Sequence, residues 1–289
     1  MLNIGLIGDI KLLETFTKKA QEIPEINITG KSSVGTQPLP GNLKLQAPEF
    51  NRIELIERSD ALIINRFSLL PFALLCDMVK QSKHFFAASY PNLTQNEINQ
   101  LAKLAQEAKT VIQIANPLYY MPAMQWLAKN LKKPAYVDVT YFNQDAAEKN
   151  TLLLLLLMLK DITGTIPKKS SAISFRSLPV NSVFNNVQLD FGDGSLININ
   201  YGIIDKKPNQ FKIKIYMHGW FTELDFVEEK YVVNNLPVDI TEYKNAGEME
   251  SFLYSIGNTK KAATDIEAYS NVLQIVDLVQ EKLDRYSSF

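Results

Sequence analysis

From Leu2 to Ile114 the chain alternates short apolar runs with longer stretches in which apolar residues recur every three to four positions. This alternation limits the fold more than any other feature. Strands joined through helices run parallel, and a parallel sheet must be covered on both faces. The first part therefore reads as a doubly wound, Rossmann-type α/β sheet. Strands are predicted at Leu2–Gly8, Ile26–Thr29, Ala61–Ile64, His84–Ala87 and Val111–Ile114. Helices are predicted over Lys11–Glu22, where Leu12, Phe16 and Ala20 share a face, over Leu69–Gln81, and from Thr94 through Ala108. Thr94 and Glu97 have capping-box spacing, with Ile98, Leu101 and Ala105 on one face behind them. The Gly-, Pro- and Ser-rich stretch from Lys31 to Pro48 reads as loop.

After Asn116-Pro117, a candidate hinge, the pattern changes. Met121–Asn130 reads as a helix crossing between two halves, and Leu152–Leu159 as a leucine-rich helix. Strand-like runs follow at Ala172–Phe175, Val187–Phe191, Leu196–Tyr201, Phe211–His218 and Trp220–Phe226, with a hairpin signal at Gly192-Asp193-Gly194. A last helix is expected after Thr264 and Glu267, again spaced as a capping box, burying Ile266, Tyr269, Leu273 and Val276. The expected organisation is a Rossmann-like domain over 1–117 and an α+β domain over 118–289. The second carries a large, mostly antiparallel open sheet, and its terminal helix is free to pack back on the first domain.

Charge narrows the partners. Thirty basic residues against 31 acidic ones leave no net field for nucleic acid or an anionic membrane. The leucine run falls far short of the ~20 apolar residues that span a bilayer, and Lys149 and Lys160 flank it, so it reads as a helix buried on all sides. One cysteine, Cys76, rules out an internal disulfide, and the amino terminus opens directly into a strand. A cytoplasmic protein is expected. Two histidines, His84 and His218, and that cysteine give no metal-ligand spacing, and both histidines read as structural.

Several strings, in order, resemble the glucose-fructose oxidoreductase / inositol dehydrogenase (Gfo/Idh/MocA) family. Ile4-Gly5-Leu6-Ile7-Gly8 is similar to its first strand and turn, and Ser59-Asp60-Ala61-Leu62-Ile63-Ile64 to the strand before its Thr-Pro cofactor loop. Tyr90-Pro91-Asn92-Leu93-Thr94 resembles the stretch after its Glu-Lys-Pro motif, and Val187 to Ser195 a strand-turn-strand of its substrate domain. The region from Glu250 to Leu283 resembles its ending. The resemblance implies NAD or NADP in the first domain, hydride transfer at a sugar or cyclitol carbinol, and a homo-oligomer formed through the open sheet. It also implies a small-molecule ligand in the cleft between domains.

At the functional positions this chain departs from the family. A dinucleotide loop uses three glycines, for the turn, for close approach of the pyrophosphate and for helix packing. Here the frame is Gly8-Asp9-Ile10-Lys11-Leu12-Leu13, with only the first. The ribose acid is replaced by Gly30-Lys31-Ser32-Ser33, where Lys31 and Ser32 would suit the 2′-phosphate of NADP. The Thr-Pro loop becomes Asn65-Arg66-Phe67, and Arg66 reads either as a guanidinium that meets phosphate or carboxylate or as a surface arginine. Glu-Lys-Pro becomes Ser89-Tyr90-Pro91, so Tyr90 replaces the lysine, as a packing residue or a weak acid-base group. The usual aspartate and histidine fall near Ala146 and Asn150, leaving Asp145 or Glu148 as the carboxylate and no histidine. Tyr119-Tyr120, Met121 and Trp126 read either as a cleft lining or as core.

Losing one acid-base group costs ~10²–10⁴-fold in rate, and here several are replaced together. The expectation is a dehydrogenase body with lost or much reduced hydride transfer, binding NADP, NAD or neither, and acting as a binding or assembly module. The alternative is an active NADP-dependent oxidoreductase that uses Tyr90 with Asp145 or Glu148.

Overall fold

The protein is described from a computed structural model, over residues 1–9, 23–34, 47–131, 135–144, 148–163, 166–177, 182–206, 208–243 and 247–286. The helix expected at Lys11–Glu22, with Ile10 before it, and Asp145 and Ala146 lie outside the described residues. The helices are α1 (Arg52–Arg58), α2 (Phe72–Lys80), α3 (Gln95–Ala108), α4 (Pro122–Asn130), α5 (Glu148–Met158), α6 (Lys160–Thr163), α7 (Glu248–Gly257) and α8 (Ile266–Tyr286). The chain divides into two compact units, Met1–Ala115 with Gly247–Ser270, and Asn116–Ala246 with Asn271–Phe289.

In the first unit β1 (Leu2–Asp9), β2 (Ile26–Val34), β3 (Ala61–Ile64), β4 (His84–Ala87) and β5 (Ile112–Ile114) form a wholly parallel sheet in the order β2-β1-β3-β4-β5. Parallel strands bury both faces, and all four residues of β3 are buried. Leu6, Ile63 and Phe86 pack in one core with Met249 and Phe252 of α7, and Phe252 meets Phe86 edge-on at 5.7 Å. The expected capping box opens α3: Thr94 accepts from the Glu97 amide, and the Glu97 carboxylate accepts from the Thr94 amide. Ile98, Leu101 and Ala105 face inward as the spacing required.

Three boundaries differ from the sequence reading. Strand β2 runs on to Val34, so Lys31, Ser32 and Ser33 lie in the sheet opposite Leu6, Ile7 and Gly8 and not in a loop. Residues 48–50 pair along its outer edge, Phe50 donating to the Lys31 carbonyl and Lys31 to the Pro48 carbonyl. Polar residues tolerate this strand because it has only that short partner outside it. Second, Phe67–Leu69 is a single 3-10 turn and α2 begins only after Pro71, which cannot donate within a helix. Third, Asp265 and not Thr264 caps α8, accepting from the Ala268 amide. Thr264 is drawn instead to the free edge of β5, where Ile114 donates to its carbonyl and its hydroxyl donates back to the Ile114 carbonyl.

The second unit is built on an eight-stranded sheet, β6 (Tyr136–Phe142), β7 (Lys169–Ser177), β8 (Ser182–Asp190), β9 (Leu196–Ile203), β10 (Gln210–Met217), β11 (Trp220–Asp225), β12 (Lys230–Val233) and β13 (Leu236–Pro237). Its order is β13-β12-β11-β10-β6-β9-β8-β7, antiparallel throughout except where β6 and β9 run parallel. The Gly192-Asp193-Gly194 turn joins β8 to β9, with Gly192 and Gly194 both at positive φ and the Asp193 carboxylate holding the Ser195 amide. Val137, Val139, Leu189, Ile197, Ile199, Ile213 and Ile215 line the covered face with no exposure. The leucine run behaves as expected: Leu152, Leu155, Leu156, Leu157 and Leu159 are fully buried, each contributing about 2 kcal/mol of apolar burial. Among the described residues no helix is long and apolar enough to cross a membrane. His218 lies in the β10–β11 turn beside Gly219, outside the strand that the sequence assigned it to.

Candidate functional site

Strand β1 stands between β2 and β3, so the chain steps outward from β1 to β2 and then returns across β1 to β3, where the strand order reverses. Open parallel sheets hold ligands outside the carboxyl ends of strands at such a switch point. Gly8 and Asp9 end β1, and Asn65 follows β3. Gly8 has φ +134°, which residues with a side chain avoid. A β-carbon there would stand 1.7 Å from Asn65 Oδ1. The glycine is needed because Asn65 closes over it. Asn65 is 7% exposed, its Oδ1 accepts from the Asp9 amide at 2.8 Å, and its Nδ2 donates to the Asp9 carbonyl at 3.0 Å. Its backbone is also held, N donating to the Ile7 carbonyl and O accepting from Ser89 Oγ at 2.7 Å. Side chain and main chain of Asn65 thus lock three strand ends, and the lock takes up the first amide of the β1 turn.

Of the residues singled out in the sequence, Gly8, Asp9, Asn65 and Arg66 come together here. Arg66 is exposed and caps the 3-10 turn at the end of β3. Phe67 is buried and tilts against Phe85 at 6.3 Å. Lys31 is half-buried and Ser32 8% exposed within β2, so the strand's carboxyl end is Ser33-Val34. A carboxylate does stand at that end. Glu49 accepts from the Ser33 amide at 2.6 Å and, through both its oxygens, from Ser33 Oγ at 3.0 and 2.9 Å. It comes from sixteen residues downstream, so no local spacing could have revealed it.

Tyr90 and Pro91 belong to a second cluster within the same unit. Tyr90 is half-buried and stacks on Tyr269 of α8, with ring centroids 6.0 Å apart and planes 16° apart. The Tyr269 hydroxyl donates to the Pro91 carbonyl at 3.2 Å. Asp145 and Ile10 lie outside the described residues, and Asn150, at the usual histidine position, is exposed on α5. Among the described residues no three His, Cys, Asp or Glu side chains gather as a metal ion would need.

Two further titratable groups are structural in geometry. His84 Nδ1 accepts from the Val111 amide at 2.9 Å, joining β4 to β5, and burial holds its pKa below the ordinary value despite the opposing charge of Asp60. The Tyr119 hydroxyl donates to Asp161 at 2.9 Å, and burial, then the Asp161 charge, raises its pKa. Tyr119 and Tyr120 are 7% and 8% exposed and pack edge to face, the core arrangement of the two readings.

No family model matches the chain, and no curated protein matches it. Solved structures do. UDP-N-acetylglucosamine 3-dehydrogenase from Acidithiobacillus ferrooxidans superposes with a TM-score of 0.81 at 18% identity, over 99% of this chain and 98% of that one. A dehydrogenase from Chromobacterium violaceum gives 0.75 at 11% identity, over 99% and 96%. Biliverdin reductase from Synechocystis sp. PCC 6803, in complex with biliverdin and NADP+, gives 0.73 at 14% identity, over 98% and 99%. The chain therefore has the two-domain fold of these proteins, a Rossmann-type sheet and a large, mostly antiparallel one, as the resemblance implied.

Proposed function

We propose that the chain is a divergent relative of the sugar dehydrogenases whose fold it shares, with NAD(P)-dependent hydride transfer lost or much reduced, and that it works as a binding or assembly module. The Asn65 clasp carries this reading. A pyrophosphate at this switch point needs turn amides that are free to donate and a backbone it can approach closely. Here the Asp9 amide is spent on Asn65, and the side chain occupies the space above Gly8. Asp9 adds a carboxylate beside the same turn, and no histidine stands at the catalytic position. The open face of the large sheet, with Phe175, Phe184, Tyr136 and Tyr216 exposed on it, is the surface through which a second copy would assemble.

Titration of NADH and NADPH against the full chain by calorimetry tests the reading. No saturation is expected up to about 1 mM, a binding free energy weaker than about −4 kcal/mol. Asn65→Ala, which frees the Asp9 amide, should bring measurable nucleotide binding. A low-micromolar Kd for the unaltered chain would overturn the proposal.

A second reading, an active oxidoreductase using Tyr90 with Asp145 or Glu148, draws support from Glu49. A carboxylate at the end of β2 accepts ribose hydroxyls and repels a 2′-phosphate, which turns the preference expected from Lys31 and Ser32 towards NAD. Under that reading NADH binds, NADPH does not, and Glu49→Gln erases the difference.

A further inference from the structure

A separate cavity opens at the other edge of the parallel sheet, by the amino end of β5, whereas Gly8 and Asn65 stand at carboxyl ends. Its volume is about 320 Å³, and it lies between α3, the start of β5 and the segment that leads from α7 into α8. It exists for two reasons. Ala102 and Ala105 put small side chains on the α3 face that borders it. The segment before α8 pairs with β5 only at Gln113 and Ile114, leaving Val111 and Ile112 to floor the space.

The rim is cationic. Lys109 is the left-handed C-cap of α3, at φ +55°. Lys260 follows Thr259, at φ +52°, and its amide is held by the Ser255 carbonyl at the end of α7. Both backbones are thus set by helix caps. Lys261 is neutralised by Glu267, but Lys109 and Lys260 have no carboxylate partner among the described residues; Lys260 lies over the Tyr254 ring, 5.4 Å from its centroid, and reaches the Tyr254 hydroxyl at 3.3 Å. Of the two acids that line the cavity, Glu267 is engaged by Lys261, and Asp265 accepts from the Ala268 amide. An apolar floor under three lysines and two acids, a formal excess of one positive charge, suits a molecule with an apolar body and one negative end.

We propose that this cavity binds a small amphipathic carboxylate, its apolar body on Ala102, Ala105 and Ile112 and its carboxylate towards Lys109 and Lys260. A space of about 320 Å³ falls in the range of ordinary small-molecule pockets.

The test uses indole-3-acetate as probe and indole-3-acetamide, its uncharged counterpart, as control, followed on the full chain by calorimetry. Saturable acetate binding is expected between about 10 and 500 μM, with the acetamide at least about fivefold weaker. Ala102→Leu, which fills the floor at a half-buried helix position, should weaken both probes about tenfold while leaving the melting temperature unchanged or higher. The surface pair Lys109→Gln with Lys260→Gln, which leaves the core untouched, should remove the preference for the acetate and leave acetamide binding as it was. No saturation by about 5 mM, equal affinity for the two probes, or unaltered binding in both variants would each overturn the proposal.

Discussion

At the carboxyl ends of β1 and β3 every polar group of Asn65 is matched inside the chain, whereas the open face of the eight-stranded sheet keeps a polar ladder half in solvent. There Asn186 donates to both Asn198 and Asn200, and Asn198 donates in turn to Asp138 at 2.6 Å. Aromatic residues close the ladder at both ends: Phe175 and Phe184, 65% and 38% exposed, and Tyr136 and Tyr216, 40% and 47% exposed. In the first region the strand ends, where open parallel sheets hold ligands, carry an internal lock. The second has turned a sheet face into a patterned surface, apolar at its borders and hydrogen-bonding in its middle. Polar groups are thus closed on one another at the strand ends and left half-exposed on the sheet face.

Three changes would break or sharpen that contrast. The largest effect is expected from Gly8→Ala, which combines a positive-φ penalty with a collision against Asn65; urea unfolding should show a loss of about 3 kcal/mol. Adding Asn65→Ala should recover only the collision, and full recovery would show that the lock is not what requires glycine. Next comes Phe175→Asp on the open face. If that face joins two copies, light scattering should show the assembly falling to monomers, a weakening of about tenfold or more in dissociation constant, with the unfolding midpoint of the monomer unchanged. An unchanged mass would remove the face from the assembly.

The smallest effect concerns His84, whose folded pKa lies below its ordinary value because of burial. Above the unfolded pKa of about 6.5 both states are neutral and the bond from the Val111 amide is intact; as pH falls, the unfolded chain takes its proton first, so stability drops until the folded histidine is also charged. His84→Asn keeps an acceptor near Nδ1 and cannot titrate. It should flatten the stability profile below pH 6.5 by at most about one proton. A slope identical to that of the unaltered chain would mean that His84 does not sense the fold.

Short-range periods were enough for much of this. The strand order up to Ile114, the Thr94-Glu97 box, the Gly192-Asp193-Gly194 turn and the leucine helix each depend on residues within a few positions of one another, and among the described residues each is present, with β2 and the helix before Gln81 shifted in their bounds. Strand β6 was the main omission. Its Val137 and Val139 alternate with Asp138 and Thr140 in ordinary strand fashion, but its central, parallel place beside β9 depends on a pairing sixty residues away.

What the sequence determined by itself was the class of each half, because burial period follows directly from residue order. What only the tertiary structure decided was the state of the candidate site. Asn65 meets Asp9 across 56 residues, Glu49 reaches back to Ser33, and Thr264 leaves its cap to pair with Ile114 across 150. Each is a hydrogen bond between polar groups that the fold buries or aligns side by side, and the need to satisfy such groups arises only once distant strands have come together.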